Sequence, residues 1–147
     1  MKKIRLATLL FAASTLLFSS CRKEPANTTC TTSSTTIAGT YKVLAISYKA
    51  NSTAEEVDYF KAPYLESCER DDLITYNTNG TYEYKDAGTV CNPIGTDYGT
   101  WAFVGTTAMQ MDGDDIIIES FDCKTLVIIN SNTQVPGDKL KITLARQ

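Results

Sequence analysis

The fold class is decided by residues 73–85, which read Leu-Ile-Thr-Tyr-Asn-Thr-Asn-Gly-Thr-Tyr-Glu-Tyr-Lys. Two runs rich in β-branched and aromatic residues, Leu73–Asn77 and Thr81–Lys85, flank Thr78-Asn79-Gly80. Such residues favour strands. Asn-Gly between two strands is the strongest short-range signal for a hairpin, because both residues accept a positive φ. The stretch therefore predicts an antiparallel β-hairpin.

The same pattern of short strands and turn residues continues on both sides of this hairpin. One strand is predicted before it and five after it, at Thr40–Tyr48, Gly99–Val104, Ala108–Asp112, Ile116–Phe121, Thr125–Asn130 and Lys139–Ala145. Eight short strands without room for parallel crossovers predict an all-β, antiparallel sandwich or closed up-and-down barrel. Ser52 and Glu55 form a capping pattern and Pro63 ends a helix, so one short helix is predicted in the loop after the first strand.

Alternating apolar residues indicate which side chains face the interior. In the last strand Leu140, Ile142 and Leu144 point one way and the polar residues the other, which is typical of a strand buried on one face. Two uses of the interior remain open. Aromatic and Met side chains could line a ligand cavity, or they could fill the barrel, since eight strands enclose little space. The candidate lining residues are Tyr41, Tyr82, Tyr84, Trp101, Phe103, Met109 and Met111.

The N-terminus has the three zones of a secretory signal peptide: a basic start, an apolar run from Leu6 to Phe18, and the small residues Ser19 and Ser20. The apolar run has 13 residues, whereas a membrane-spanning helix needs about 20. The exit Leu17-Phe18-Ser19-Ser20-Cys21 resembles the lipobox of bacterial lipoproteins, although Leu is usual where Phe18 stands. The resemblance implies cleavage before Cys21, attachment of lipid to that cysteine, and anchoring to a membrane.

These patterns divide the chain into three parts. Residues 1–20 are the predicted signal peptide, and residues 21–38 are the lipidated cysteine with a flexible tether. The tether is rich in Thr and Ser and has too few apolar residues to order itself. Residues 39–147 are the predicted barrel domain. Arg22 follows the cysteine where Asp would resemble an inner-membrane retention signal, so we expect the bacterial outer membrane, on either face.

Charge and histidine content exclude several classes of function. Three of the 14 basic residues lie in the signal peptide, which leaves 11 against 17 acidic residues and a mature net charge of about −6. A phosphate backbone would repel such a chain, so no nucleic acid partner is expected. The chain has no His, which removes the commonest general base and the Ser-His-Asp and Cys-His arrangements. We therefore expect a protein that is not an enzyme and has no cofactor.

Four cysteines remain once Cys21 is assigned to lipid, and an even number in an exported chain predicts two disulfides. Three pairings are formally open. The preferred pairing joins Cys68 with Cys91 across the first hairpin, and Cys30 with Cys123, which would attach the N-terminal linker to the barrel wall. No CxxC pair is present, so a structural zinc site is disfavoured.

Three motifs, in order along the chain, carry a family resemblance: Gly39-Thr40-Tyr41, the run Cys68-Glu69-Arg70-Asp71-Asp72 before the Asn-Gly hairpin, and Gly99-Thr100-Trp101. Together they resemble the lipocalin-like domain of small bacterial lipoproteins, over about residues 38–146. The chain departs from the family at Tyr41, where a lipocalin usually has Trp. The resemblance implies an eight-stranded calycin-type barrel, favours the Cys68–Cys91 link, and suggests carriage of a small hydrophobic ligand.

Acidic clusters suggest other chemistry less specifically. Asp112-Gly113-Asp114-Asp115 could offer oxygen ligands to calcium, but it lacks the full loop pattern and equally predicts a hairpin turn. The leading hypothesis is a membrane-anchored lipocalin-like lipoprotein that binds a small hydrophobic ligand in the barrel or at its mouth. The alternative is a structural or accessory envelope lipoprotein with a filled barrel, which acts through contacts with a protein partner that the sequence does not identify.

Overall fold

The predicted hairpin at residues 73–85 forms, and the rest of the sheet extends from it. The computed structural model describes residues 30–147; the expected signal peptide, the lipidation site Cys21 and residues 22–29 lie outside the described residues. Gly80 in the hairpin turn has a φ of 84°, a left-handed conformation that glycine adopts without steric cost.

Nine strands are present among the described residues. They are β1 (Gly39–Lys49), β2 (Val57–Asp58), β3 (Leu73–Tyr76), β4 (Thr81–Lys85), β5 (Asp97–Val104), β6 (Ala108–Met111), β7 (Asp114–Phe121), β8 (Thr125–Ser131) and β9 (Lys139–Arg146). Neighbours in the order β2-β1-β3-β4-β5-β6-β7-β8-β9 are hydrogen-bonded, and β1 also pairs with β9. All pairings are antiparallel. The predicted eight-stranded barrel is confirmed, with β2 as one extra strand on β1.

The connection between β1 and β3 contains a short helix, but not where the capping pattern placed it. A 3-10 helix spans Cys68–Asp71, and β2 pairs with the end of β1. The Asn51 side chain accepts hydrogen bonds from the backbone N–H groups of Thr53 and Ala54, at 3.0 and 2.9 Å. This local turn competes with the predicted start of a helix at Ser52.

Strand direction defines two ends of the barrel. The turns at residues 77–80, 105–107 and 122–124 share one end with the start of β1, and we call it the base. The loops at residues 50–72, 86–96, 112–113 and 132–138 share the other end, which we call the mouth. Among the described residues, none of the helical segments has the length and apolarity to cross a membrane.

Residues 30–38 correct the prediction of a flexible tether up to residue 38. A four-residue helix, α1 (Ser34–Ile37), begins with a capping box between Ser33 and Thr36. Ile37 is fully buried in the barrel core. The polar composition of residues 30–38 did not indicate this order, because the burial of one apolar side chain, Ile37, and hydrogen bonds to the backbone around it are sufficient to order the segment.

The base of the barrel is closed by α1 and by two side chains on β1 and β9. Tyr41 is fully buried and donates a hydrogen bond to the Ile37 carbonyl at 2.7 Å. The Arg146 guanidinium donates to the carbonyls of Thr36 and Ala38 and to the Tyr41 hydroxyl, and lies 5.1 Å from the Tyr41 ring centroid. A side chain at position 39 would collide with this guanidinium, since a Cβ on Gly39 would lie 2.7 Å from Arg146 Nη1. Tyr41 thus helps to close the base of the barrel.

Both predicted disulfides are confirmed, and they lie at opposite ends of the barrel. Cys30–Cys123 joins the N-terminal segment to the base turn between β7 and β8. Cys68–Cys91 joins the two longest mouth loops. One bond therefore fixes the entry of the chain at the base, and the other fixes the rim of the mouth.

Candidate functional site

The lower half of the barrel, next to the base, is filled with side chains. The Tyr76 ring meets Tyr41 and Trp101 at centroid distances of 5.9 and 5.3 Å, both edge to face. Met109 and Leu126 are fully buried in the same cluster. Aromatic pairs in this arrangement stabilise a core beyond the area that they bury. This half is therefore a packed core.

The upper half contains an open cavity of about 330 Å³. Its walls come from β1, β3, β4, β6, β7, β8 and β9, and most of the lining is aliphatic or aromatic. The lining residues are Val43, Ile74, Tyr76, Tyr82, Tyr84, Met111, Asp112, Asp114, Ile116, Ile128, Asn130, Ile142 and Leu144. The volume lies at the lower end of the range of about 300–1,000 Å³ that is typical of small-molecule sites.

The structure divides the seven candidate lining residues into two groups. Tyr82, Tyr84 and Met111 line the cavity. The other four belong to the core, where Tyr41, Trp101 and Met109 are buried and Phe103 packs against them. Alternation along a strand identified the inward face correctly, but it carries no information about depth. Position along the barrel axis decides whether an inward side chain fills the base or lines the cavity.

Several lining residues were not among the candidates. Ile74 and Tyr76 follow from the hairpin register, since Ile74 pairs with Tyr84 and Tyr76 with Tyr82. Asp114 and Asn130 lie near the mouth ends of β7 and β8. Polar residues near strand ends are normally assigned to solvent, so alternation alone did not reveal their place at the rim.

Tyr82 and Asp112 form a polar pair at the rim of the cavity. The Tyr82 hydroxyl donates to Asp112 Oδ2 at 2.6 Å, and the Thr100 backbone N–H donates to Oδ1 at 2.8 Å. The hydrogen bond to Asp112, assisted by burial, raises the pKa of Tyr82 to about 12. The same bond from Tyr82, with those from Thr100, lowers the pKa of Asp112. At neutral pH the phenol therefore keeps its proton and the carboxylate keeps its charge.

The Gly99-Thr100-Trp101 motif has a steric basis at this pair. A Cβ on Gly99 would lie 2.5 Å from both carboxylate oxygens of Asp112 and 2.5 Å from the Tyr82 ring. The turn that places Asp112 is the predicted Asp-Gly hairpin turn, with φ values of 52° at Asp112 and 94° at Gly113. These positive values fit the two-residue hairpin turns that Asp-Gly favours.

Tyr84 and Asp72 form a second pair, where β4 meets the mouth loops. The Tyr84 hydroxyl donates to Asp72 Oδ2 at 2.9 Å, and the Ala87 backbone N–H donates to Oδ1 at 3.0 Å. Asp72 is only 2% exposed. Burial, followed by the hydrogen bond to Asp72, raises the pKa of Tyr84. Asp72 is thus a structural acceptor that joins the loop before β3 to the loop after β4.

Two further buried carboxylates order the mouth loops. Asp138 is fully buried and accepts hydrogen bonds from the backbone N–H groups of residues 133–135 and from the Tyr48 hydroxyl. Burial alone would raise the pKa of Asp138, but these hydrogen bonds outweigh it and lower the pKa to about 2. Asp86 accepts from the N–H groups of Cys91 and Gly95. The rim is therefore built on carboxylates that accept backbone donors.

A second space, a cleft of about 660 Å³, lies over the mouth ends of β7 and β8. It is lined by Asp114, Asp115, Ile117 and residues 130–133, and it shares Asp114 and Asn130 with the cavity. The lining of the cavity is mainly apolar, and that of the cleft is mainly polar.

Within residues 30–147, no group of three or more His, Cys, Asp or Glu side chains is arranged to hold a metal ion. Comparison with protein-family models, with curated proteins and with solved structures found no match for the chain.

Proposed function

We propose that this protein is a non-enzymatic binding protein that takes a small, mainly apolar molecule into the upper half of its barrel. The observation that carries the proposal is the open cavity of about 330 Å³, walled by aliphatic and aromatic side chains above a packed base. Transfer of apolar surface from water into such a space is worth about 25 cal/mol per Å². A mouth rim fixed by buried carboxylates and by Cys68–Cys91 limits the ordering cost of binding.

We further propose that the barrel is attached to the outer membrane through lipid on Cys21. Cys30 is fixed at the base by Cys123, and eight residues lie between it and Cys21. The nine steps along the chain from Cys21 to Cys30 span at most about 30 Å. The tether is then short, it leaves from the base, and the mouth lies at the end of the barrel away from the anchor.

Isothermal titration calorimetry of the mature protein with 1-octanol tests the binding proposal. One octanol per chain is expected. Val43→Phe should weaken binding by taking up part of the cavity, whereas Leu44→Phe should leave it unchanged, because Val43 lines the cavity and Leu44 is 52% exposed on the outer wall. Urea denaturation of both variants establishes that they are folded.

A second measurement leaves the cavity unmodified. The mature chain has two methionines, and Met111 lines the cavity whereas Met109 is buried below it. With ¹³C-methyl methionine, octanol should shift the Met111 resonance more than the Met109 resonance. Absence of any octanol binding to the native protein would contradict the proposal and favour the alternative, an accessory envelope protein that acts through protein contacts.

A further inference from the structure

The polar side chains around the cavity are mostly hydrogen-bond acceptors. Tyr82 and Tyr84 give their hydroxyl protons to carboxylates, and Tyr76 directs its proton to the Met111 sulfur at 3.5 Å. A phenol that donates its single proton to a protein group can only accept from a ligand. Among the polar side chains that line the described cavity, this leaves Asn130 as the one with free donors.

The charge around the cavity has one sign. Asp112 and Asp114 line the cavity, Asp115 adds to the adjoining cleft, and no Lys or Arg lines either space within the described residues. The two ion pairs among residues 30–147, Lys61–Asp58 and Lys141–Glu119, involve none of these aspartates. A carboxylate or phosphate on a ligand would therefore meet like charges without a compensating cation.

The arrangement of these groups fits a molecule with two unlike ends. Asp114 borders both the apolar cavity and the polar cleft. Asp112 already accepts hydrogen bonds from Tyr82 and Thr100, so Asp114 is the carboxylate with more acceptor capacity left for a ligand. A chain or ring inside the barrel would place its polar end at this residue.

On this basis, and resting on the proposed function, we infer that the ligand is a cationic amphiphile whose protonated amine lies at Asp114, with its apolar part in the barrel. A protonated amine supplies the donors and the positive charge that the rim lacks. Charge-assisted hydrogen bonds of this kind are about twice as strong as neutral ones.

Three ligands with the same alkyl chain test this inference: octylammonium, 1-octanol and octanoate, titrated at pH 7 and low ionic strength into the mature protein. Octylammonium should bind about tenfold more tightly than octanoate, with octanol between them, and tenfold corresponds to about 1.4 kcal/mol. Added salt should reduce the difference, because screening weakens interactions between partly exposed charges.

Asp114→Asn identifies the residue responsible. It should weaken octylammonium binding about five- to tenfold, corresponding to about 1–1.4 kcal/mol, and leave octanol binding within about twofold. Glu55→Gln removes one negative charge from an exposed position outside both spaces and should change neither affinity.

The outcomes separate the inference from the proposed function. Equal binding of the three ligands, or tighter binding of octanoate, would overturn the cationic preference and leave apolar binding intact. An unchanged octylammonium affinity in Asp114→Asn would overturn the placement of the amine. Failure of all three ligands to bind would refute the proposed function itself.

Discussion

Replacing Ile37 by alanine is expected to destabilise the barrel as much as truncating a residue of its core. Ile37 is fully buried although it precedes the first strand. The substitution removes three buried carbons, worth about 2.4 kcal/mol at about 0.8 kcal/mol each. The space left behind adds to this, and buried Ile→Ala changes typically cost about 2–5 kcal/mol. Hydrogen bonds from Arg146 and the Cys30–Cys123 disulfide restrain α1 on both sides, so we expect about 2.5–4 kcal/mol.

Urea denaturation followed by tryptophan fluorescence measures this loss, because the single tryptophan, Trp101, is 5% exposed and donates to the Asn77 carbonyl at 2.9 Å. Ile117→Ala is the matched control: the chemistry is identical, but Ile117 is 52% exposed on the outer wall, so its loss should stay within about 1 kcal/mol. Equal free energies of unfolding for the two variants would refute the packing of α1 against the base.

The two disulfides should differ by about 1 kcal/mol in their contribution to the free energy of unfolding. In the chain-entropy model, Cys30–Cys123, with a separation of 93 residues, contributes about 4.6 kcal/mol. Cys68–Cys91, with a separation of 23 residues, contributes about 3.4 kcal/mol. Urea titration of the two double Cys→Ser variants checks the order, and a larger loss for the shorter loop would contradict it. Asp138 should make unfolding sensitive to acid. Its folded pKa of about 2 lies below its ordinary 3.8, so its contribution is complete above pH 4 and disappears as the pH falls towards 2. As the pH is lowered from 4 to 2, the urea midpoint should fall less steeply in Asp138→Asn than in the native protein. Parallel falls in the two proteins would exclude Asp138 as a source of the acid sensitivity.

Local sequence patterns were sufficient to predict the barrel strands. Predicted and observed bounds coincide for Thr81–Lys85 and differ by one or two residues elsewhere, because turn residues with positive φ and alternating apolar residues are local properties. β2 was missed since it has two residues and exists only through its pairing with β1. The burial of Ile37 was missed because it depends on Arg146, which is 109 residues away in sequence, as well as on the nearby Tyr41.

The candidate site was predicted only in part, because part of it depends on contacts between residues that are distant in sequence. Period-two alternation assigns a side chain to the inside or the outside, so it identified Tyr82, Tyr84 and Met111 as inward residues, and they line the cavity. Whether an inward residue fills the base or borders a cavity depends on strand stagger around the closed sheet. Asp112 was considered only as a turn residue or a calcium ligand, because its contact with Tyr82 requires β4 and the β6–β7 turn to meet across β5.

β1 links the two halves of the barrel, since one of its inward residues lies in the packed base and the next borders the cavity. Tyr41 is fixed at the base by Ile37 and Arg146, whereas Val43, two residues on, lines the cavity. A register shift between Val43 and Ala45 in the pairing with β9 follows, and it leaves Leu44 exposed. Tyr41, Trp101, Met109 and Leu126 do not border the cavity, whereas Tyr76, Ile128 and Leu144 belong both to the core and to the cavity wall. Asp114 lies at the rim and outside the core, so its substitution is expected to change the proposed ligand preference while the base continues to stabilise the fold.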